Sequence, residues 1–396
     1  MIRSIQLAQF GGRRRLWSAV SFTVIVGMTP VVAQAQSPEP TPPASEQPPP
    51  AVPQAPPGGT GSFLSSITVY ALGDAYVMAN ANRPPDGDNL LRNFDTRSGE
   101  VRMNYAEVAF ERKTSAQAAV GFRADLGAGP TAKMVGSTEP GPDGLKYIQQ
   151  GYLSVRAPIG SGLTIDAGKF VTPAGAEVIE TQDNWNYSRS LLFSWAIPYY
   201  HAGVRASYAV SDTVTATGFL LNGWNNVKDN NRSKSFGTQV LVAASDRVSI
   251  AGTWIGGAEQ SEVDGWRNML DAVVSVTVTP RVKLQVNADY VRDRASGPGV
   301  GWQGVAAALR TELTPKWTLA PRVEWFSDPH GASTGVAQHL VESTITVQRA
   351  FAAGVSARVE YRVDHSTTKF FPSEDGPAGR WQQTFGVGLF YGWASR

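Results

Sequence analysis

The sequence predicts an all-β fold, a transmembrane antiparallel up-and-down barrel of about sixteen strands (fourteen to eighteen) with one long loop folded inward. Three observations predict it. Segment after segment alternates apolar and polar residues with period two, short polar turns and long loops follow one another in regular order, and the chain opens with an export leader.

Composition narrows the classes first. Against 35 basic residues stand 33 acidic ones, a formal charge of +2, without the concentrated positive field that nucleic-acid binding needs. The chain has no cysteine, which removes disulfide scaffolds, thiolate metal sites, cysteine nucleophiles and an N-terminal lipid anchor through cysteine. With 4 histidines, a histidine-rich metal centre is not expected, and neither a metal nor a cofactor is assigned. A mean hydropathy of −0.19 suits a soluble protein, but it equally suits a barrel whose residues alternate between lipid and water.

Residues 1–35 carry Arg3 and Arg13-Arg14-Arg15, then an apolar run from Leu16 to Val32, then Ala33-Gln34-Ala35. That order of basic, apolar and small residues is a secretory signal peptide, with cleavage expected after Ala35. No apolar run long enough for a membrane helix follows. Residues 36–62 form a proline-rich linker, with ten prolines between Gln36 and Gly59 that favour an extended spacer. Fully extended, such a spacer would reach roughly 70 Å.

The barrel is expected over 63–396. In 351–364, Phe351, Ala353, Val355, Ala357, Val359, Tyr361 and Val363 share one face, while Arg358, Glu360, Arg362 and Asp364 share the other. A strand with one wholly apolar and one charged face needs two solvents, and lipid outside with water inside is the simplest pair. The split recurs at 282–290 and at 317–325, where Trp317 and Trp325 suit interfacial girdles. The last strand presents Phe385, Val387, Leu389, Tyr391 and Trp393, an aromatic terminal strand of the kind barrel-assembly machinery reads. A secreted sandwich would instead turn polar faces outward.

Short turns are expected near Lys113–Ser115, Pro158–Ser161, Ser211-Asp212, Ser245-Asp246, Thr279–Arg281, Thr314–Lys316 and Arg349-Ala350. Long loops are expected near 82–99, 129–146, 173–199, 225–234, 257–268, 293–301, 327–338 and 365–382. Seven turns and eight loops join sixteen strands, at about 21 residues for each strand with its share of connection. An even count puts both barrel ends on the periplasmic side.

Several segments resemble a known family: VYALGDAYVMANANRP (69–84), NYAEVAFERK (104–113), AVGFRADLGAG (119–129), 166–208, PRVEWFSDPHG (321–331) and VEYRVDHSTTKFF (359–371). They are similar to the putative β-barrel porin-2, OmpL-like, family, most of all in 166–208. The resemblance covers the barrel and not the leader or linker, and it implies an outer-membrane barrel with pore function, without a substrate or catalytic residues.

Strand parity turns nine basic and eleven acidic side chains to the lumen: Asp74, Arg102, Glu107, Arg123, Asp125, Arg156, Asp166, Arg205, Asp271, Lys283, Asp289, Arg310, Glu312, Arg322, Glu324, Glu342, Arg358, Glu360, Arg362 and Asp364. Glu107 requires a one-residue bulge near Ala106. The signs are interleaved, so part of the set will pair as ladders along the wall, and no strong ion preference results. The loop 173–199 is too long and too apolar for a plain solvated connection. It is expected to fold inward and narrow the passage, with a short amphipathic helix in SRSLLFSWA placing Leu191, Leu192 and Trp195 on the wall. Glu177, Glu180, Asp183 and Arg189 would then project into the passage. Lys169 falls on outward parity, which calls for a bulge or a position at the lipid headgroups.

The expected function is a porin, a water-filled channel for passive diffusion of small hydrophilic solutes or ions. Its partners would be outer-membrane lipid and lipopolysaccharide, the assembly machinery, and by fold-level analogy two further copies in a trimer. The competing class is a non-conducting barrel serving as receptor, adhesin or anchor. Catalysis is not expected, since neither a nucleophile-elbow motif nor HExxH occurs, and the GxGxxG match at Gly299–Gly304 leads into a strand.

Overall fold

A computed structural model describes residues 63–139, 146–231, 233–260, 265–294, 299–374 and 376–395. The leader and the proline-rich linker lie outside the described residues. Fifteen strands run in chain order: β1 (Thr68–Asn80), β2 (Val101–Arg112), β3 (Val120–Ala128), β4 (Ile148–Ala157), β5 (Leu163–Val171), β6 (Tyr200–Ala209), β7 (Val214–Leu221), β8 (Ser235–Ser245), β9 (Val248–Ala258), β10 (Trp266–Thr279), β11 (Val282–Asp293), β12 (Val300–Thr314), β13 (Trp317–Asp328), β14 (Gln338–Ala350) and β15 (Val355–Ser366). A small hairpin, β16 (Phe371–Ser373) with β17 (Gly376–Gly379), decorates the last long connection, and β18 (Trp381–Ala394) follows.

Every neighbour pair is antiparallel, and β18 returns to lie between β15 and β1, so sixteen strands close into a barrel with no free edge. The closing seam pairs Tyr70 with Ala394 and Asn80 with Thr384, which brings the two ends of the barrel to the rim of short turns.

Alternation explains the wall. On β18, Phe385, Val387, Leu389, Tyr391 and Trp393 are exposed on the outer side, while Gln382, Thr384 and Phe390 between them are buried on the inner side. Val101, Leu153, Val323 and Ile345 continue the exposed apolar outer surface that an aqueous protein would avoid and a lipid-embedded one requires.

Three local expectations are corrected. The bulge that brings Glu107 inward sits at Asn104, where Asp74 pairs with Tyr105 and Ala75 with Met103, because both Asn104 and Tyr105 turn toward the interior. Phe351 and Ala353 do not belong to β15, since Ala353 and Gly354 take positive φ (57° and 81°) and form the turn into it. Lys169 needs neither bulge nor headgroups. The register of β5 is unbroken, so Lys169 keeps its outward parity, and the β3–β4 connection covers it through Glu139 (2.8 Å) while the Tyr200 ring lies 4.0 Å below the ammonium.

Candidate functional site in the barrel lumen

The connection between β5 and β6 lies inside the barrel along one half of the wall, and its sequence explains how. It carries almost no regular structure, only a brief 3-10 turn at Thr181–Asp183 and one π-helical turn at Leu192–Ala196, inside the stretch where a short amphipathic helix was expected. Its backbone groups therefore need side-chain partners from the wall. Carboxylates supply acceptors for the N–H groups. Glu360 takes those of Tyr187 (2.7 Å) and Ser188 (3.0 Å), and Glu324 takes those of Leu191 (2.8 Å) and Leu192 (3.3 Å). Guanidinium groups supply donors for the carbonyls. Arg358 donates to Thr181 (2.8 Å), Asn186 (2.9 Å) and Asn184, Arg322 to Ser188 (2.9 Å), and Arg362 to Arg189 (2.6 Å). Asp74 accepts the hydroxyls of Thr181 (2.7 Å) and Tyr187 (2.8 Å).

Room for the loop comes from glycines on β18. A Cβ at Gly388 would run into the Tyr187 ring, and one at Gly392 into Gln182. Apolar side chains complete the docking, with Leu191, Leu192 and Phe193 buried among Phe94, Trp302 and Phe326. The Trp302 indole donates to the Ala196 carbonyl at 3.1 Å.

Among the charges expected to line one passage, two groups are set apart by the loop. Asp74, Arg322, Glu324, Arg358, Glu360 and Arg362 are buried under the loop as its anchors. Arg189 is corrected outright: it is 2% exposed and spends its donors on the carbonyls of Tyr187 (2.7 Å), Val178 (3.1 Å) and Ile179, stacking over Phe94 instead of projecting into open space. Glu177 is also tied down, by Arg322 (2.6 Å) and the Ser190 N–H (2.6 Å). The second group faces what remains of the lumen. On β3 and β6, Arg123 and Arg205 keep 24% and 22% of their side-chain surface open, held by Asp125 (2.9 Å) and Asp166 (2.7 Å) and by the Tyr70 and Tyr152 rings beneath them. From the loop, Asp183 is exposed and Glu180 is half-buried toward Arg123 and Asp125. Burial, and after it the carboxylates of Asp183 and Asp125, push Glu180 up to about 7. Strands β7–β9 contain no charged residue, which leaves their sector of the wall without fixed charge.

Sequence reasoning missed a second inward segment. In the β1–β2 connection, Leu91 and Phe94 are buried in the lumenal cluster, and Arg92 bridges Asp95 (2.8 Å) and Asp364 (2.9 Å). The signal was present, since two leucines and a phenylalanine interrupt an otherwise polar loop. His201 is buried, with its ring nitrogens at the Gly223 carbonyl (2.9 Å) and the Thr172 hydroxyl (3.4 Å).

A closed sixteen-strand barrel with an apolar outer belt and an inward loop is the architecture of porin-type outer-membrane proteins. The chain belongs to the family described as Putative beta-barrel porin-2, OmpL-like, whose model matches residues 66–391. Among solved structures it is similar to the trimer form of OmpT of Vibrio cholerae (12% identity, TM-score 0.56), covering 83% of this chain and 99% of that one. It is also similar to the anion-selective porin of Comamonas acidovorans (9%, TM-score 0.54, covering 83% and 99%) and the outer membrane channel DcaP of Acinetobacter baumannii (13%, TM-score 0.52, covering 83% and 96%). At these identities the likeness is one of fold. No curated protein sequence matches the chain.

Proposed function

We propose that the protein is a porin: an exported outer-membrane channel through which small hydrophilic solutes or ions diffuse passively, without catalysis. One observation carries the reading. The loop is fixed along one half of the wall, while Arg123 and Arg205 on β3 and β6 stay partly open and Asp183 on the loop is exposed. A solute passing these side chains meets fixed charges of both signs in a narrowed lumen, which selects by size and dipole more than by net charge. The outer belt suits lipid and lipopolysaccharide, the aromatic β18 suits the assembly machinery, and the porin architecture suits a trimer.

Planar-bilayer recording of the refolded mature chain, with and without residues 36–61, tests this. Stepwise conductance with a modest reversal potential in a salt gradient is expected, and removal of 176–194 raises the conductance of barrels that still fold. A correctly folded barrel that never conducts, with or without the linker, overturns the reading in favour of a receptor or anchor.

A further inference from the structure

A cavity of about 830 Å³ opens at the rim of long connections, between the β1–β2 connection, β2, β3 and a short helix, α1 (Pro130–Val135), that follows β3. Its volume is that of a small-molecule site. Much of its lining is apolar, with Leu126 near the end of β3, Met134 on α1 and Tyr147 ahead of β4. Met134 and Tyr147 also pack against the buried lumenal cluster, so this apolar wall is supported from behind. Asn93 fixes another part of the lining, since its amide nitrogen donates to the Ser194 carbonyl (2.8 Å) and the Tyr199 hydroxyl (2.8 Å) of the inward loop.

The charged side chains lining the cavity are cations, Lys133 and Arg102, and no carboxylate is among the described residues that line it. Lys133 on α1 is exposed and forms no ion pair among the described residues. Arg102 on β2 pairs with the exposed Glu100 (2.8 Å) and keeps 30% of its side chain open. A free ammonium beside a supported apolar wall is complementary to a ligand with an anionic head and a hydrocarbon tail. The wall takes methylenes out of water, and the head offsets the cation. A small polar anion would leave the wall wet, and an amphipathic cation would meet like charge.

We propose that this cavity captures short amphipathic carboxylates, with Lys133 and Arg102 receiving the carboxylate and Leu126, Met134 and Tyr147 receiving the chain. Binding there concentrates the solute at the mouth of the barrel, beside the Asn93 contact to the inward loop. This consequence for transport rests on the porin reading, whereas the binding site does not.

Calorimetric titration of the refolded full mature chain in non-ionic detergent, corrected for the detergent alone, tests the site with sodium hexanoate, sodium acetate and hexylammonium chloride. One hexanoate per barrel is expected, at about 10⁻³–10⁻² M, the range for a ligand of about eight heavy atoms. Each buried methylene contributes roughly a fourfold factor, so with about half of the extra chain covered hexanoate binds at least about tenfold more tightly than acetate. Hexylammonium, with the same chain and the opposite charge, binds at least about tenfold more weakly than hexanoate. Lys133→Gln, at an exposed position, weakens hexanoate by about fivefold, as does Met134→Ser, whereas Lys316→Gln, at the far rim, retains the wild-type affinity. Absence of hexanoate binding, binding no tighter than that of acetate or hexylammonium, or unchanged affinity in Lys133→Gln overturns the proposal. In bilayers, millimolar hexanoate on the long-loop side lowers wild-type conductance more than that of Lys133→Gln, and equal block of the two removes the consequence for transport. A barrel that binds hexanoate through Lys133 but conducts nothing retains the site and removes the porin reading.

Discussion

Arg358 offers the sharpest test of how the loop is held. Its guanidinium donates to three loop carbonyls, at Thr181 (2.8 Å), Asn186 (2.9 Å) and Asn184, and to the Gln348 amide oxygen (2.8 Å), while stacking 4.6 Å above Phe390. Arg358→Met keeps the stem over the ring and removes every donor. Hydrogen bonds to a charged group contribute about 1.5–3 kcal/mol each, but they are not additive, and lumenal water will reach part of the freed backbone. A loss of about 3 kcal/mol in loop attachment is the lower end expected for breaking one side of a buried ionic network. At 1.4 kcal/mol per decade, the released population rises roughly 100-fold. Limited trypsin digestion reads that population, because the bond after Arg189 is inaccessible while Arg189 is buried. The variant should be cleaved there far faster than wild type while the barrel stays closed, and single channels should show added flicker toward a higher level. If a folded Arg358→Met barrel resists trypsin like the wild type and conducts identically, the anchoring argument is wrong.

Further outcomes follow from other sites. Asp271 and Asp289 are direct cross-strand partners with three of their four carboxylate oxygens unpartnered, so Asp289→Asn, which adds a donor and removes a like charge, should raise the melting temperature. Gly388→Leu should expel the Tyr187 ring and reproduce the trypsin sensitivity of Arg358→Met without touching a charge. Lys169→Met strands the buried Glu139 carboxylate and should cost about 3–5 kcal/mol of barrel stability, measured by thermal or urea unfolding in detergent. Burial holds the Glu259 carboxyl above its ordinary range, so its contribution to stability is full below the unfolded value and is lost as pH rises through the folded one. Glu259→Gln should therefore match wild type in acid and unfold at a higher temperature in mild alkali.

The strand count, the alternation of turns and loops and the inward course of 173–199 were legible because each is enforced over many residues by a solvent that differs on the two sides of the wall. A period-two pattern repeated across sixteen strands leaves no room for a second register, since one slip would turn Arg358, Glu360 and Arg362 into lipid. The division of labour among the inward charges was not legible, and the reason is geometric. Parity says which side of the wall a residue faces, but whether Arg358 meets water or a carbonyl depends on where a structureless loop is seated. That seating is set by space as much as by charge. The Gly386, Gly388 and Gly392 row on β18 had a lumenal parity readable beside its aromatic outer face, and three side-chain-free positions facing a crowded interior are where something else must pack. Arg189 shows the limit from the other direction. Three carboxylates and one arginine on one loop look alike as polar projections, yet the one whose neighbours in sequence are apolar, Leu191, Leu192 and Phe193, is carried inward with them and must spend its donors on the backbone that buries it. Charge in a porin-type loop is thus informative about the passage only after the apolar residues beside it have been assigned a place to pack.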